Sequence, residues 1–110
     1  MKQAEIQNAT LNAIEIPLQV MKISLESMDL IETLVKKGNP NSISDVGVAA
    51  LCARTAVIGA YLNVVINSKD YTDIKDRNRL LTIAKNIQEK AIKKEEKIIK
   101  LTMTGINNSS

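Results

Sequence analysis

Apolar residues recur at three- and four-residue steps along nearly the whole chain, the period of an α-helix, and no stretch alternates as a strand would. Residues 2–14 are polar with scattered apolar positions, and Pro17 then removes a helical hydrogen bond, predicting a kink or a fresh helix start there. Leu18, Met21, Leu25, Met28 and Val35 form one stripe. Val20, Ile23, Leu30, Ile31 and Leu34 widen it, predicting burial on more than one side. Lys36, Lys37 and Gly38 end this helix, with cations at its negative pole and then a residue tolerant of left-handed geometry. The connection from Gly38 to Asp45 is dense in turn and cap formers, with Ser42 and Ser44 competing as the N-cap.

The second predicted helix runs to about Ser68. Its small residues, among them Gly47, Ala50, Ala53, Ala56 and Gly59, let neighbouring backbones come close, as in a central helix crossed by others or by a partner chain. Residues 69–73 read as a short loop ending in an N-cap. A third helix is expected over 74–103, with Leu80, Ala84, Ile87, Ala91, Ile98 and Leu101 on heptad-like steps broken at Lys94, and residues 105–110 as a frayed tail. The expected fold is all-α: one domain over 1–110 of long antiparallel helices in a bundle.

Composition narrows the chemistry. The 110 residues contain no histidine and a single cysteine, Cys52. That excludes a disulfide framework, a Cys/His zinc site within one chain, and Ser-His-Asp or Cys-His catalysis. Tyr61 and Tyr71 are the only aromatic residues, too few for a base-stacking platform. Residues 1–68 carry 5 Lys/Arg against 6 Asp/Glu, whereas residues 69–110 carry 10 against 6. With acids mixed among the bases, the third helix reads as a solvated face, and nucleic acid is not expected as a partner. Residues 46–66 are mostly apolar, but Arg54 near the middle argues for a buried helix of a soluble protein and against a membrane span. No signal peptide is evident in residues 1–15, so a cytoplasmic location is expected.

Polar residues gather around the second helix. Asn39, Asn41, Ser42, Ser44 and Asp45 stand at its start, where turn and cap formation accounts for them as readily as ligand binding. Asn63 and Asn67 lie four apart on one face of an apolar run, which suggests a polar network or a ligand. Arg54 could face solvent, join a buried ion pair or clamp an anion.

The succession Gly38-Asn39, Asn41-Ser42, Ser44-Asp45-Val46-Gly47-Val48-Ala49-Ala50, Gly59-Ala60 and Asn63-Val64, ending at Asn67, resembles the cyclodeaminase/cyclohydrolase family. That family comprises the C-terminal domain of formiminotransferase-cyclodeaminase and its free-standing bacterial relatives. Ala13 and Ile16-Pro17-Leu18 match the family's approach to this stretch. The resemblance implies an all-helical homodimer or higher homo-oligomer and folate one-carbon chemistry on a tetrahydrofolate-type substrate, with no metal and no further cofactor. The reaction would be cyclodeamination of 5-formiminotetrahydrofolate or hydrolysis of 5,10-methenyltetrahydrofolate. It implies Asp45 as the proton-handling or cation-holding carboxylate, with Asn39, Asn41, Ser44, Asn63 and Asn67 binding the substrate around it. In the family a further helical stretch opening with Pro-Gly-Gly-Gly-Ser precedes this region. The four glycines here, Gly38, Gly47, Gly59 and Gly105, are never adjacent, so the chain resembles the C-terminal part of that domain, possessing the helices without the glycine-rich loop. The alternative function is a non-catalytic helical oligomerisation or partner-binding module.

Overall fold

The computed structural model describes residues 2–38 and 42–108, so Asn39 and Asn41 lie outside the described residues. Within them the chain is three helices, α1 (Gln3–Lys37), α2 (Ile43–Ser68) and α3 (Ile74–Asn108), each packed on the other two. The start of α1 lies beside the end of α2, where Asn67 Nδ2 donates to the Ala13 carbonyl at 3.0 Å. α1 and α3 run parallel: Gln7 meets Thr72, Asp29 meets Lys94 and Glu32 meets Lys97, each pair 65 residues apart. The result is an all-α bundle in which α2 runs antiparallel to its neighbours.

Sequence-encoded signals set most boundaries. Gly38 adopts φ +66°, and its amide closes on the Val35 carbonyl. Asp73 caps α3 by accepting the Asp76 amide at 3.0 Å. Ser42 holds the N-cap position of α2 without a side-chain cap bond, and Ser44 lies inside the first turn, so the expected Ser44 cap is not used. Helix α3 continues to Asn108 and not to about 103. The supposed tail is therefore helical over 105–108, because Gly105 packs against Ile43 at the start of α2.

The expected break at Pro17 does not occur: α1 is continuous through it. Proline has no N–H for the carbonyl four residues back, that of Ala13. Asn67 supplies the missing donor from α2. Gln7 performs a second fastening, its Oε1 accepting from both the Thr72 amide (2.8 Å) and hydroxyl (3.0 Å) and so tying the α2–α3 loop to α1.

The core runs along the seam of the three helices: Ile14, Leu18, Met21, Met28 and Val35 from α1, Ala50, Val57 and Val64 from α2, and Leu80, Ala84, Ala91 and Ile98 from α3. Two charged positions interrupt it and meet. Arg54 Nη1 donates to Glu95 Oε2 at 2.9 Å, with the Glu95 side chain only 8% exposed. Of the roles open to Arg54, the ion pair is the one the fold uses.

α2 passes closest to α3 at Gly47, where an added Cβ would stand 2.9 Å from Thr102 Cγ2. Thr102 is buried and its hydroxyl is committed to the Ile98 carbonyl at 2.8 Å, so this branched side chain is poorly placed to yield. Gly47→Ala is therefore expected to destabilise the chain by about 1 kcal/mol, overpacking of ~1–3 kcal/mol outweighing a helix-propensity gain of ~1 kcal/mol. Thr102→Ser in the same chain should recover the loss. Denaturant melts of the two variants check this, and a stabilised Gly47→Ala single variant would contradict it.

The widened apolar stripe of α1 divides into two faces. Ile16, Val20, Ile23, Leu30 and Leu34 stay exposed, on the side of the helix opposite the core stripe. The expected burial on more than one side is thus not met within one chain. The same holds for α2, where Val48, Leu51, Leu62 and Ile66 are exposed. By length and composition α2 could cross a membrane, yet its midpoint cation is turned inward to Glu95. α3 has one apolar face and a charged outer one, so it covers only one side of the α1/α2 layer.

Candidate functional site

Asp45 stands in the first turn of α2, exposed, where the positive end of the helix favours a carboxylate. It borders a depression of about 430 Å³ walled by Ile31, Leu34, Val46 and Ala49, with Lys37 and Ser42 on the rim. The cavity is mostly apolar with a few polar groups at its edge, the usual make-up of a small-molecule site. Ser44 is exposed beside it.

Asn63 and Asn67 border a different depression, of about 350 Å³, with Ile16, Pro17, Val20 and Ala56. Asn63 is exposed and Asn67 partly buried. Asn67 has the structural task of satisfying the Ala13 carbonyl. Eighteen residues of helix separate Asp45 from Asn63, or roughly 27 Å at 1.5 Å per residue. One chain therefore does not bring the six predicted residues around one cavity. Asp45 and Ser44 sit at one end of α2, and Asn63 and Asn67 at the other.

The largest depression, about 520 Å³, is elsewhere, between α1 and α3, lined by Lys90, Lys93, Lys94 and Lys97 together with Asp29 and Glu32. Sequence reasoning treated these lysines as a solvated face, and the structure shows most of the countercharge in place. Lys94 pairs with Asp29, and Glu32 accepts from Lys36 at 2.9 Å and Lys97 at 3.5 Å. The Lys36 hydrogen bond, with the charges of Lys36, Lys97 and Lys94 behind it, holds the Glu32 carboxyl below its ordinary value. This cleft is a salt-bridge network along an exposed seam, remote from Asp45 and from Asn63.

A second shifted pair lies at the start of α3. Hydrogen bonds from Arg79 (2.7 Å) and from the Tyr71 hydroxyl (2.9 Å) hold Asp76 below the usual carboxylate range, and the same contact raises the Tyr71 phenol. Because the folded-state values of Asp76 and Glu32 are depressed, their stabilisation is present above the unfolded carboxylate pKa of about 4 and is lost as pH falls through the folded values. The Tyr71 contribution, from a raised acid, is present below pH ~10 and is lost as pH climbs past it. Thermal stability should accordingly be flat between about pH 5 and 9 and fall at both limits. Tyr71→Phe should remove the alkaline loss and leave part of the acid one. An unchanged alkaline limb in that variant would refute the assignment.

Among the described residues no group of three or more His, Cys, Asp or Glu side chains is placed to hold a metal ion.

Comparison with known proteins adds to this geometry. Residues 1–93 match the family described as formiminotransferase-cyclodeaminase. The chain is 42% identical over 72 residues to a methenyltetrahydrofolate cyclohydrolase of Methylorubrum extorquens, a stretch covering 66% of this chain and 35% of that protein. It is 32% identical over 90 residues to the formimidoyltransferase-cyclodeaminase of Rattus norvegicus, covering 78% of this chain and 17% of the relative. The Mus musculus protein of the same name is 37% identical over 68 residues, covering 62% and 13%. The chain thus spans about a third of the bacterial relative and under a fifth of the mammalian ones.

Proposed function

This chain belongs to the formiminotransferase-cyclodeaminase family, and we propose that it binds a reduced folate and serves cyclodeamination of 5-formiminotetrahydrofolate or hydrolysis of 5,10-methenyltetrahydrofolate. The observation that carries the proposal is Asp45, the carboxylate at the lip of the apolar depression at the start of α2, inside the stretch that matches the family. In the cyclodeaminase direction the folate N10 bonds to the formimino carbon, the bond from that carbon to the amino nitrogen breaks, and the nitrogen leaves as ammonia. In the hydrolase direction water adds to the methenyl carbon and the bond to N5 breaks. Each route needs the reacting groups held in line and one proton delivered to a departing nitrogen, which a positioned carboxyl can do. Histidine, metal and a further cofactor have no part in this reading. The apolar wall of Ile31, Leu34 and Val46 would take the flat pterin, and Lys37 stands where a substrate carboxylate could reach it. The working protein is a homo-oligomer in the cytoplasm, a reading that the bare apolar side of α1 and α2 and the exposed free thiol of Cys52 both support.

Titration calorimetry with 5-formyltetrahydrofolate tests the proposal. Saturable micromolar binding is expected, and Asp45→Asn should lower turnover of either substrate by about 100-fold or more while leaving the melting temperature unchanged. Equal turnover of the variant and the parent at matched folded fraction would remove Asp45 from the reaction. Absence of binding by the folded parent would leave the oligomerisation module as the better reading, which the same bare apolar face favours.

A further inference from the structure

The exposed face of α2 is self-complementary. Asp45, Val48, Cys52, Thr55, Gly59, Leu62, Ile66 and Lys69 follow one another at three- and four-residue steps, and all are exposed. Reading the series from both ends pairs Asp45 with Lys69, Val48 with Ile66, Cys52 with Leu62, and Thr55 with Gly59. An acid thus faces a base, large apolar residues face one another, and the middle is small. A Cβ added at Gly59 would meet nothing within 4 Å, so the centre of this face is open to a close approach. The exposed stripe of α1 flanks it.

We infer that a second copy of this chain covers this face, with α2 packed antiparallel on the partner's α2 about a two-fold axis near residue 57, so that the two copies complete one site between them. The inference rests on the folate reading for its ligand, but not for its geometry. The area fits. The chain exposes 6981 Å², whereas a compact chain of its mass exposes about 6,000 Å². The excess is close to the ~800 Å² that each partner contributes to a standard interface. The radius of gyration agrees, at 17.5 Å against about 13 Å for a compact chain of this length.

The arrangement also resolves the separation found within one chain. Antiparallel pairing brings Asp45 level with the partner's Lys69 and within two residues' rise of the partner's Asn67. The Asp45 depression of one copy then opens onto the Asn63 depression of the other, and the residues that stand some 27 Å apart in one chain border one cleft. An isologous pairing makes two such clefts.

Three measurements on the 110-residue chain decide the matter. Sedimentation equilibrium should show a dimer that Leu62→Glu converts to a monomer of undiminished helicity, since Leu62 is 62% exposed in one copy. Spin labels at Asp70→Cys, in a Cys52→Ser background, should lie about 40 Å apart, whereas parallel pairing would leave about 15 Å or less. A monomeric parent, or the short distance, would overturn the arrangement whatever the folate result. The third measurement concerns the shared site. Asp45→Asn and Asn63→Ala chains, each deficient in binding 5-formyltetrahydrofolate, should regain about a quarter of the parent's sites when unfolded together and refolded as an equal mixture, because half the dimers are mixed and each holds one intact cleft. No regain would place the site within a single copy. A parent that binds no folate, yet dimerises with the long distance, would overturn the folate reading and leave the pairing standing.

Discussion

Ile98→Ala should cost about 2–5 kcal/mol, a large share of the ~5–15 kcal/mol that stabilises a domain of this size. Ile98 is the one large side chain that α3 buries completely; Leu80 and Ile87 keep some exposure, and Ala84 and Ala91 have little to lose. A three-helix layer with α3 on only one side has few neighbours free to move into the space. The cavity should therefore persist, and the cavity penalty should add in full to the lost transfer energy. Ile98→Val, which removes one methylene, is expected to cost only about 0.5–1.5 kcal/mol. Urea denaturation followed by far-ultraviolet circular dichroism gives both values from one slope, provided the m-value holds. An Ile98→Ala loss below about 1 kcal/mol would mean that α3 is held chiefly by its ion pairs and not by this side chain.

Arg54→Leu should cost about 3 kcal/mol, because it strands the Glu95 carboxylate in the core without its countercharge. The guanidinium is a third exposed, which moderates the attraction, but the carboxylate has little access to water. Replacing both, as Arg54→Leu with Glu95→Leu, should restore most of the loss and could exceed the parent, since two apolar side chains need no desolvation of charge. A double-mutant cycle completed with Glu95→Leu measures the coupling. Additive single effects would show the pair to be screened by solvent and of no consequence for the fold. The pair also bears on register. With charges at one level of an otherwise apolar seam, sliding α3 by one turn would bury both unpaired.

Much of the architecture was legible because its signals are local. The Lys36-Lys37-Gly38 terminus, the Asp73 cap and the apolar periods of α2 and α3 each act within a few residues and came out as expected. What escaped depends on residues far apart in sequence. Nothing near Pro17 announces that Asn67 will satisfy the Ala13 carbonyl, and nothing near Gly105 announces Ile43. The interruption of the α3 heptad was visible at Lys94, but its cause is Glu95, whose partner lies 41 residues away. The candidate site was legible as chemistry and not as geometry. Asp45 and the asparagines are the right kinds of group, yet a linear motif cannot say that one helix carries them to opposite ends. The second apolar stripe of α1 was visible as excess width, and only the fold shows that no element of this chain fills it.

The continuity of α1 through Pro17 has a consequence for how the chain assembles. On its own, a segment with proline at its centre lacks one rung of its ladder and is clashed against at the turn before it, so it would populate two short helices, each near the length at which isolated helices are marginal in water. The missing rung is provided from residue 67, at the far end of the next helix. The first half of α1 therefore becomes straight and continuous with the second only once α2 has folded back along its whole length. Docking of two helices and completion of one of them are then a single cooperative event, and the amino-terminal quarter of the chain should be among the last segments to acquire protection from hydrogen exchange during refolding.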